Sequence, residues 1–581
     1  MDMWLKLRNV CTTKSGYFDA RRGHVQWIPG AFIAIACGAI YFALRPPLFD
    51  NDGYRDRLYA LNPGWVNNTN PHHLLWNFIQ AYIGSIGAAV GCPTTVPFQV
   101  VGIVAACLTL FVLFLLLFEV SNSVSFAAAA ATFIAFSPKF WILVLQNRCY
   151  SLLFLVLVLF LYIFHTDDGF PPTGLRLAIA GSLLFVAITL HQGTALLVPA
   201  ATVSLIAYHP DGWKRRLVDG LVFGGTITLL VLAAYLAVWL TTAHEEQSLF
   251  RWVALYAYII HSPNIFEFSV PMLFVKSVIG ISRMLLQSAQ IISFLQDNFS
   301  NRTIVAIYAS LGLVACTAGA TIGWLAHLGR PVVRLVRSNA LIGMSLLWIL
   351  FWSAFVFAWE PVSPGYWTLD LFPALVCLGS LLRDWITWRL AYWLVAGALV
   401  ISTWNGYGDF RNDKNLSRNF PPPLLEAIHQ HLAPHDLFIV LAEDDGLGGM
   451  DYELLFVSLQ YSQHNPGLAI LNDFVWPIGD STTWRARLGK QINSTMDLGG
   501  HIFVAAHVFD PTSYDDLAGT DDPFAIMVTR QYPANQAQHF EKEVQKVFAP
   551  YNLERSDFSI GSDKYFLLER KVNDETTVKM P

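Results

Sequence analysis

The sequence predicts a polytopic α-helical membrane protein with about eleven transmembrane helices, followed by a C-terminal α/β domain outside the cytoplasm. Three observations predict this fold class. Hydrophobic residues make up 54% of the chain and charged residues only 14%, whereas soluble domains carry about 25% charged residues. The apolar residues gather in runs long enough to cross a bilayer, which takes roughly 20 residues. After the last run, shorter apolar segments alternate between strand-like and helical patterns.

The orientation of the predicted spans follows from the basic loops, because cytoplasmic loops carry the excess of lysine and arginine. Eleven spans place the basic N-terminus and the later basic loops, such as that with Lys214 and Arg216, on one side. We predict a cytoplasmic segment over 1–26, a transmembrane domain over 27–404 and an extracytoplasmic domain over 405–581. The membrane is the plasma (inner) membrane, or that of the endoplasmic reticulum if the source is eukaryotic. The predicted spans are 27–46, 98–119, 122–143, 150–165, 174–190, 192–208, 217–241, 303–327, 339–359, 365–382 and 388–404.

Two further apolar stretches are interpreted as helices that do not change this count. A span over 73–91 would reverse the side of every later basic loop, so we predict a helix lying in the outer interface. The stretch 271–295 places Lys276 and Arg283 two turns apart on one helical face, with two glutamines following. We predict an amphipathic helix, interfacial or lining a cavity, with this polar face toward water or a bound headgroup.

Several classes of function are disfavoured by the distribution of charge and cysteine. The interiors of the predicted spans contain almost no ionisable side chains, whereas a proton or ion pathway normally requires them. The net charge of −5 gives no indication of a nucleic-acid partner. None of the seven cysteines lies beyond Cys377 and none forms a C-x-x-C pair, which argues against a disulfide framework or a zinc ribbon.

The distinctive polar residues instead lie in the predicted outer loops. Asp50 and Asp52 follow the first span at the depth of a lipid phosphate, where a carboxylate can accept a proton from a hydroxyl group. The alternative is that Asp-Asn-Asp-Gly is ordinary turn chemistry that closes a helix.

Histidine and arginine residues mark the next outer segments. His72 and His73 open the interfacial helix and can hydrogen-bond a phosphate or a sugar hydroxyl, or merely tolerate a wet location. Arg148 lies in a polar turn between two apolar spans, where it can bind phosphate oxygens or extend to lipid headgroups. His191 lies in the hairpin between two spans, either as a ligand-binding residue or as an ordinary loop residue.

Two carboxylates near the end of the transmembrane domain complete the set of candidates. Glu360 begins an outer loop rich in proline and glycine. Asp370 lies about one turn deeper in the following span, where a charge is costly unless it has a partner. We predict that both contribute to substrate binding.

The order of these segments resembles that of the GT-C superfamily of membrane glycosyltransferases, especially its protein O-mannosyltransferase-like branch. The resemblance covers residues 27–200 in order and, more loosely, the later spans and the outer domain. The motifs that carry it are Asp50-Asn-Asp52-Gly-Tyr54, Asn70-Pro-His-His73, Phe-Ser-Pro-Lys-Phe-Trp141 with the polar turn and Tyr150, and His191-Gln-Gly-Thr with Pro199-Ala200.

The resemblance implies transfer of a sugar from a polyprenyl-phosphate carrier to a hydroxyl on a glycan, lipid or protein at the outer or lumenal face. It assigns the catalytic base to Asp52, supported by Asp50. Candidate cations for the phosphate are Arg148, Lys276 and Arg283.

The sequence departs from the family pattern at Gln146-Asn-Arg148, where relatives often carry an acidic residue, so Glu360 or Asp370 could supply a second carboxylate. The Asp-x-Asp spacing leaves a divalent cation open, although no His or Cys ligand set accompanies it. The alternative functions are a flippase or transporter of lipid-linked sugars and a non-catalytic membrane scaffold.

Overall fold

The protein is described here by a computed structural model. Asp50 and Asp52 lie outside the part of the chain that it describes. The described residues are 27–45, 71–90, 96–146, 148–166, 169–208, 213–242, 248–253, 269–286, 339–361, 363–383, 392–401, 403–405, 435–440, 467–470, 481–509, 544–560 and 563–570, with a few isolated positions.

Up to residue 405, the regular secondary structure of the described residues is entirely helical. The helices are α1 Ile28–Ala43, α2 Leu74–Ala89, α3 Val96–Ser121, α4 Val124–Ala135, α5 Pro138–Leu145, α6 Tyr150–Phe164, α7 Gly174–Leu190, α8 Leu197–Tyr208, α9 Trp213–Thr242, α10 Leu249–Val253, α11 Val270–Leu286, α12 Ala340–Trp359 and α13 Pro364–Leu382. Short 3₁₀ turns precede α2 and α8, at Pro71–His73 and Gln192–Leu196.

Four of these helices are long and apolar enough to cross a membrane, namely α3, most of α9, α12 and α13. The pair α4 and α5 makes a fifth if it is one broken span. Four shorter apolar segments lie at the predicted spans 27–46, 150–165, 174–190 and 192–208. The chain is therefore an integral membrane protein by composition and helix length, and the total of eleven spans stays a prediction.

Helix ends are set by local residues that satisfy the unpaired backbone groups. The side chain of Ser123 caps α4 by accepting a hydrogen bond from the Phe126 N–H. Asn339 caps α12 by accepting from the Leu341 and Ile342 N–H groups, at 3.0 and 3.2 Å. Because these caps replace hydrogen bonds to water, the helices can begin within or close to the apolar region.

The predicted span 122–143 is broken into α4 and α5, which meet at an angle of 61°. Pro138 begins α5, and the residue before a proline is disfavoured in helical geometry. Ser137 accordingly has extended dihedral angles, φ −65° and ψ 133°. The proline thus explains why one apolar run forms two helices.

The core of the helical domain is centred on α3, which packs against α1, α4, α6 and α13. Large side chains fill the interior, among them Phe114, Phe154, Trp348 and Trp352, each with no exposed surface. The outward surface is apolar as well, and on α1 Phe32 and Ile35 are each 72% exposed. A helical surface of this kind is suited to lipid and not to water.

Helix α11 buries its polar face and exposes apolar side chains. Lys276 is only 2% exposed and Ser277 6%, whereas Val270 is 65% and Phe274 56% exposed. The helix packs against α5, α12 and α13. Lys276 therefore points into the helical domain, which favours the cavity-lining alternative for this segment over a water-facing one.

The position of α11 depends on Gly280. A Cβ atom there would collide with the Pro361 carbonyl oxygen and lie 2.6 Å from the Trp367 Nε1 atom. These two groups are hydrogen-bonded to each other at 2.8 Å. We expect Gly280→Ala to destabilise the protein by about 1–3 kcal/mol, as overpacking usually does, and to lower its melting temperature in detergent.

Gly225 on α9 provides the matched control, because a Cβ atom there meets nothing within 4 Å. Gly225→Ala should leave the melting temperature unchanged or raise it slightly, since alanine favours a helix over glycine. Equal melting temperatures for the two variants would contradict the described packing of α11 on the turn before α13.

The described residues of the C-terminal part form a five-stranded mixed sheet with the order β2-β1-β3-β5-β4. Strand β1 pairs in parallel with β2 and β3, while β5 pairs antiparallel with β3 and β4. Helix α14 follows β2 and buries Leu488 and Ile492. The bounds are β1 Leu437–Val440, β2 Gly467–Ile470, α14 Ser481–Asp497, β3 Ile502–Ala505, β4 Tyr551–Ile560 and β5 Asp563–Arg570.

The side of the membrane on which each loop lies is open to a direct test. In a variant without native cysteines, single cysteines at 212, 333 and 385 should react only from the cytoplasm. Cysteines at 68, 300 and 450 should react only from outside, because the basic loops orient the spans. Labelling of 68 and 333 from the same side would show that the predicted span count is wrong.

Candidate functional site

Three histidines that are distant in sequence come together in the helical domain. The ring centroids of His72 and His73 are 4.5 Å apart, those of His72 and His191 4.4 Å, and those of His73 and His191 5.3 Å. His191 has no exposed surface and His72 is 8% exposed. We call these three residues the histidine cluster.

The three histidines lie at positions where helices begin or end. His72 and His73 belong to the 3₁₀ turn that leads into α2, and His191 ends α7 in an extended conformation, φ −150° and ψ 107°. Gly193 follows closely, and a Cβ atom there would lie 3.2 Å from the His191 ring and 3.3 Å from Trp352. The cluster therefore forms where chain segments turn between helices.

The nitrogen atoms of two of the rings have identifiable partners. His73 Nδ1 lies 3.0 Å from the Leu190 carbonyl oxygen, and because a carbonyl only accepts, we assign the proton to Nδ1. The Cys149 Sγ atom lies 3.2 Å from the same nitrogen. His191 Nε2 lies 3.3 Å from the Tyr150 hydroxyl. Cys149 and Tyr150, at the start of α6, thus hold the histidine rings in a fixed orientation.

Aromatic side chains of α12 and α13 close the other side of the cluster. The His191 ring lies 6.1 Å from that of Trp352 and 5.9 Å from that of Tyr366. Trp352 Nε1 donates a 2.8 Å hydrogen bond to the Tyr366 carbonyl oxygen, which fixes the two helices to each other here. The start of α6, the end of α7 and the start of α13 consequently meet at one place.

Asp370 lies one turn beyond Tyr366 on α13, within the protein interior. It is 9% exposed, and its Oδ2 atom accepts a 2.7 Å hydrogen bond from the Ser353 hydroxyl. Its Oδ1 atom has no hydrogen-bond partner among the described residues. A buried carboxylate with only part of its hydrogen bonding satisfied is costly. The position of Asp370 one turn from Tyr366 therefore favours a functional interpretation.

The other predicted substrate-binding residues lie at the ends of neighbouring helices. Arg148 is half-buried directly before Cys149, with its backbone N–H donating to the Gln146 carbonyl oxygen at 2.7 Å. Glu360 is half-buried at the end of α12, and the Ser363 N–H donates to its carbonyl oxygen. Arg283 on α11 is half-buried, two turns beyond the buried Lys276.

Burial affects the histidine cluster electrostatically. Burial, and in second place the neighbouring His73, lower the pKa of His191 well below its usual range. The neutral form of the His191 ring is therefore favoured, and a negative charge beside the ring would favour its protonated form.

Sequence reasoning identified the three histidines but not their mutual contact. It also gave no role to Cys149, Tyr150, Trp352 or Tyr366 in holding them. Tyr150 entered the sequence analysis only as a member of the family motif that follows the polar turn.

A metal centre is not indicated among the described residues, since no group of three His, Cys, Asp or Glu side chains there could hold an ion. The Asp50 and Asp52 pair falls outside that statement. The divalent cation suggested by their spacing stays a prediction.

Comparison with known proteins supports the fold. No family model matches the sequence, and no curated protein matches it either. The structure of ArnT from Cupriavidus metallidurans bound to undecaprenyl phosphate is similar with a TM-score of 0.50 at 12% identity, covering 94% of this chain and 98% of that one. The chain therefore shares the overall fold of that ArnT structure.

Two further structures are similar over most of the chain, with lower scores. The Archaeoglobus fulgidus oligosaccharyltransferase in complex with Zn and sulfate has a TM-score of 0.43 at 12% identity, covering 93% of this chain and 73% of that one. AglB from the same organism, in complex with an inhibitory peptide and a dolichol-phosphate, has a TM-score of 0.43 at 12% identity, covering 92% and 74%.

Proposed function

We propose that this GT-C-fold protein is a membrane glycosyltransferase that moves a sugar from a polyprenyl-phosphate donor to a hydroxyl acceptor at the outer or lumenal face. The observation that carries the proposal is the convergence of His72, His73 and His191 with Tyr150 and Tyr366 at the helix ends predicted to face outward. The undecaprenyl phosphate bound in the ArnT structure supports a polyprenyl-phosphate donor.

The required chemistry matches the residue types around this convergence. Breaking the bond between sugar and phosphate develops positive charge on the sugar and leaves an anionic phosphate, while the acceptor hydroxyl loses a proton. Asp52 is proposed as the base that takes this proton, with Asp50 orienting the acceptor. Arg148, Lys276 and Arg283 are proposed as the cations that stabilise the leaving phosphate.

The buried position of Lys276 supports its part of this proposal. Lys276 is 2% exposed, and a cation within the protein interior attracts an anion more strongly than it would in water. A bound phosphate provides such an anion, and α11 packs against α13, which carries Tyr366 and Asp370. Glu360 and Asp370 are the proposed contacts for the hydroxyl groups of the sugar or acceptor.

The finer assignments extend the resemblance to the protein O-mannosyltransferase-like branch. The acceptor is proposed to be a glycan, lipid or protein hydroxyl, and the sheet domain is proposed to lie on the same side of the membrane as the site. Membrane lipids surround the apolar surface, and the composition gives no reason to expect nucleic acid.

The proposal is tested by following the donor lipid. Purified protein incubated with a lipid-linked sugar and an acceptor mixture should release polyprenyl phosphate in step with the glycosylated product. A flippase would move the intact lipid-linked sugar across the bilayer without releasing phosphate, and a scaffold would leave the donor unchanged. Either of those results would overturn the proposed function.

A further inference from the structure

The histidine cluster has a feature that the proposed reaction does not by itself require. Three imidazoles contact one another, with centroid distances of 4.4–5.3 Å and ring angles of 64° and 65°. Each ring is arranged edge to face with its neighbours, and no described group of side chains is placed to hold a metal ion. Imidazole rings gain positive charge on protonation, which makes such a cluster suited to binding an anion.

We propose, resting on the proposed function, that the histidine cluster binds the phosphate group of the prenyl carrier together with a proton. Phosphate binding and proton uptake are then a single coupled event. The cluster changes from neutral to cationic when the phosphate enters, and returns to neutral when it leaves.

The hydrogen bonds of the cluster support this coupling. His73 uses its Nδ1 proton for the Leu190 carbonyl, so protonation adds its new N–H at Nε2. His191 is held through Nε2 by the Tyr150 hydroxyl, which can reorient as a donor or an acceptor when the ring changes charge. Both rings can therefore titrate without losing these contacts.

The groups around the histidine cluster determine the pH at which its rings become protonated. Among the described side chains, the titratable groups in contact with the cluster include Cys149 and Tyr150 at the start of α6 and Tyr366 on α13. Arg148 precedes α6, Asp370 lies one turn beyond Tyr366, and Glu360 ends α12. Burial and the mutual proximity of the rings oppose protonation, and an anion among them reverses this balance.

Proton uptake also balances the charge of the reaction. When the bond between the anomeric carbon and the phosphate oxygen breaks, its electron pair stays on that oxygen, and the phosphodiester with one negative charge becomes a monoester with one more. The acceptor oxygen bonds to the anomeric carbon and gives up a proton. A protonated histidine beside the phosphate compensates the added charge until the product leaves.

The test uses a probe whose own charge is constant. Methyl farnesyl phosphate is a phosphodiester with one negative charge across pH 5.5–8, so any pH dependence of its binding belongs to the protein. Calorimetric titration of the full chain in buffers of different ionisation enthalpy counts the protons taken up. We expect uptake toward one proton near neutral pH, and an affinity that rises by up to tenfold per pH unit between pH 8 and 6.

Two variants remove titration while keeping the observed hydrogen bonds. In His73→Asn the amide N–H can still donate to the Leu190 carbonyl, and in His191→Gln the amide can still pair with Tyr150. Each should weaken binding at pH 6 and flatten its pH dependence. His165→Asn is the matched control, because His165 follows the opposite end of the 15-residue helix α6, about 22 Å away, and should bind like the original protein.

The results of this test can overturn the inference about the histidine cluster without overturning the proposed function. Affinity equal at pH 6 and 8, or proton uptake retained in both histidine variants, would overturn the inference even if sugar transfer is observed. Inorganic phosphate binding as tightly as the prenyl diester would overturn the assignment to the carrier. If the variants do not melt like the original protein, the pH series on the unmodified chain decides alone.

Discussion

Asp52→Asn should lower single-turnover sugar transfer by about 10²–10⁴, the usual contribution of a general base. The amide keeps the size and most hydrogen bonding of the carboxylate but cannot accept the acceptor's proton. Donor binding and melting temperature should change little, since a side chain in an outer loop contributes little to folding. The measurement is rapid-mixing transfer from a saturating lipid-linked sugar, with binding and melting recorded on the same preparations.

Asp50→Asn is the internal control for this assignment. If Asp50 only orients the acceptor, its variant should lose much less activity than Asp52→Asn. Near-normal transfer by Asp52→Asn would remove Asp52 from the mechanism, and a collapse confined to Asp50→Asn would exchange the two roles.

Lys276→Met should weaken donor binding by about ten- to a hundredfold, because a hydrogen bond to a charged group contributes about 1.5–3 kcal/mol. Methionine fills the same buried volume without the charge, so packing of α11 is kept. The melting temperature of the variant is recorded alongside binding, because removing one member of a buried interaction can itself destabilise the fold. Adding Arg283→Ala should weaken binding further.

Comparing donor binding with binding of a ligand that lacks phosphate distinguishes lost phosphate binding from a general loss of structure. Binding of the prenyl alcohol, which lacks the phosphate, should be the same in Lys276→Met and the original protein. Lys214→Met, at the exposed start of α9, is the matched control and should bind the donor normally. Unchanged donor affinity in a folded Lys276→Met protein would leave α11 a structural element only.

The helices of the transmembrane domain were predictable because lipid leaves the chain few alternatives. Every backbone polar group must be satisfied internally in a bilayer, so a long apolar run is helical whatever its neighbours. The run predicted over 174–190 is observed as Gly174–Leu190, and that over 98–119 as Val96–Ser121. The predicted span over 122–143 did not include the break at Pro138, although a proline is a local signal for such a break, and the 61° angle depends on packing.

The arrangement of the site was less predictable, because it depends on which helix ends meet. His73 and Leu190 are 117 positions apart, and nothing local to either residue indicates their hydrogen bond. The burial of Lys276 likewise arises from tertiary packing, since the polar stripe of α11 is equally compatible with a water-facing helix. The assignments of Asp50 and Asp52 rest on the sequence and the family resemblance alone.

The most direct test of the account is the sidedness and stoichiometry of a single turnover in oriented vesicles. Lipid-linked sugar and acceptor are supplied only on the side from which a cysteine at 450 is labelled, and then only on the opposite side. The account predicts equal amounts of polyprenyl phosphate and glycosylated acceptor in the first case and neither product in the second. Sugar lipid crossing the bilayer intact, or phosphate release from the cytoplasmic side, would contradict it.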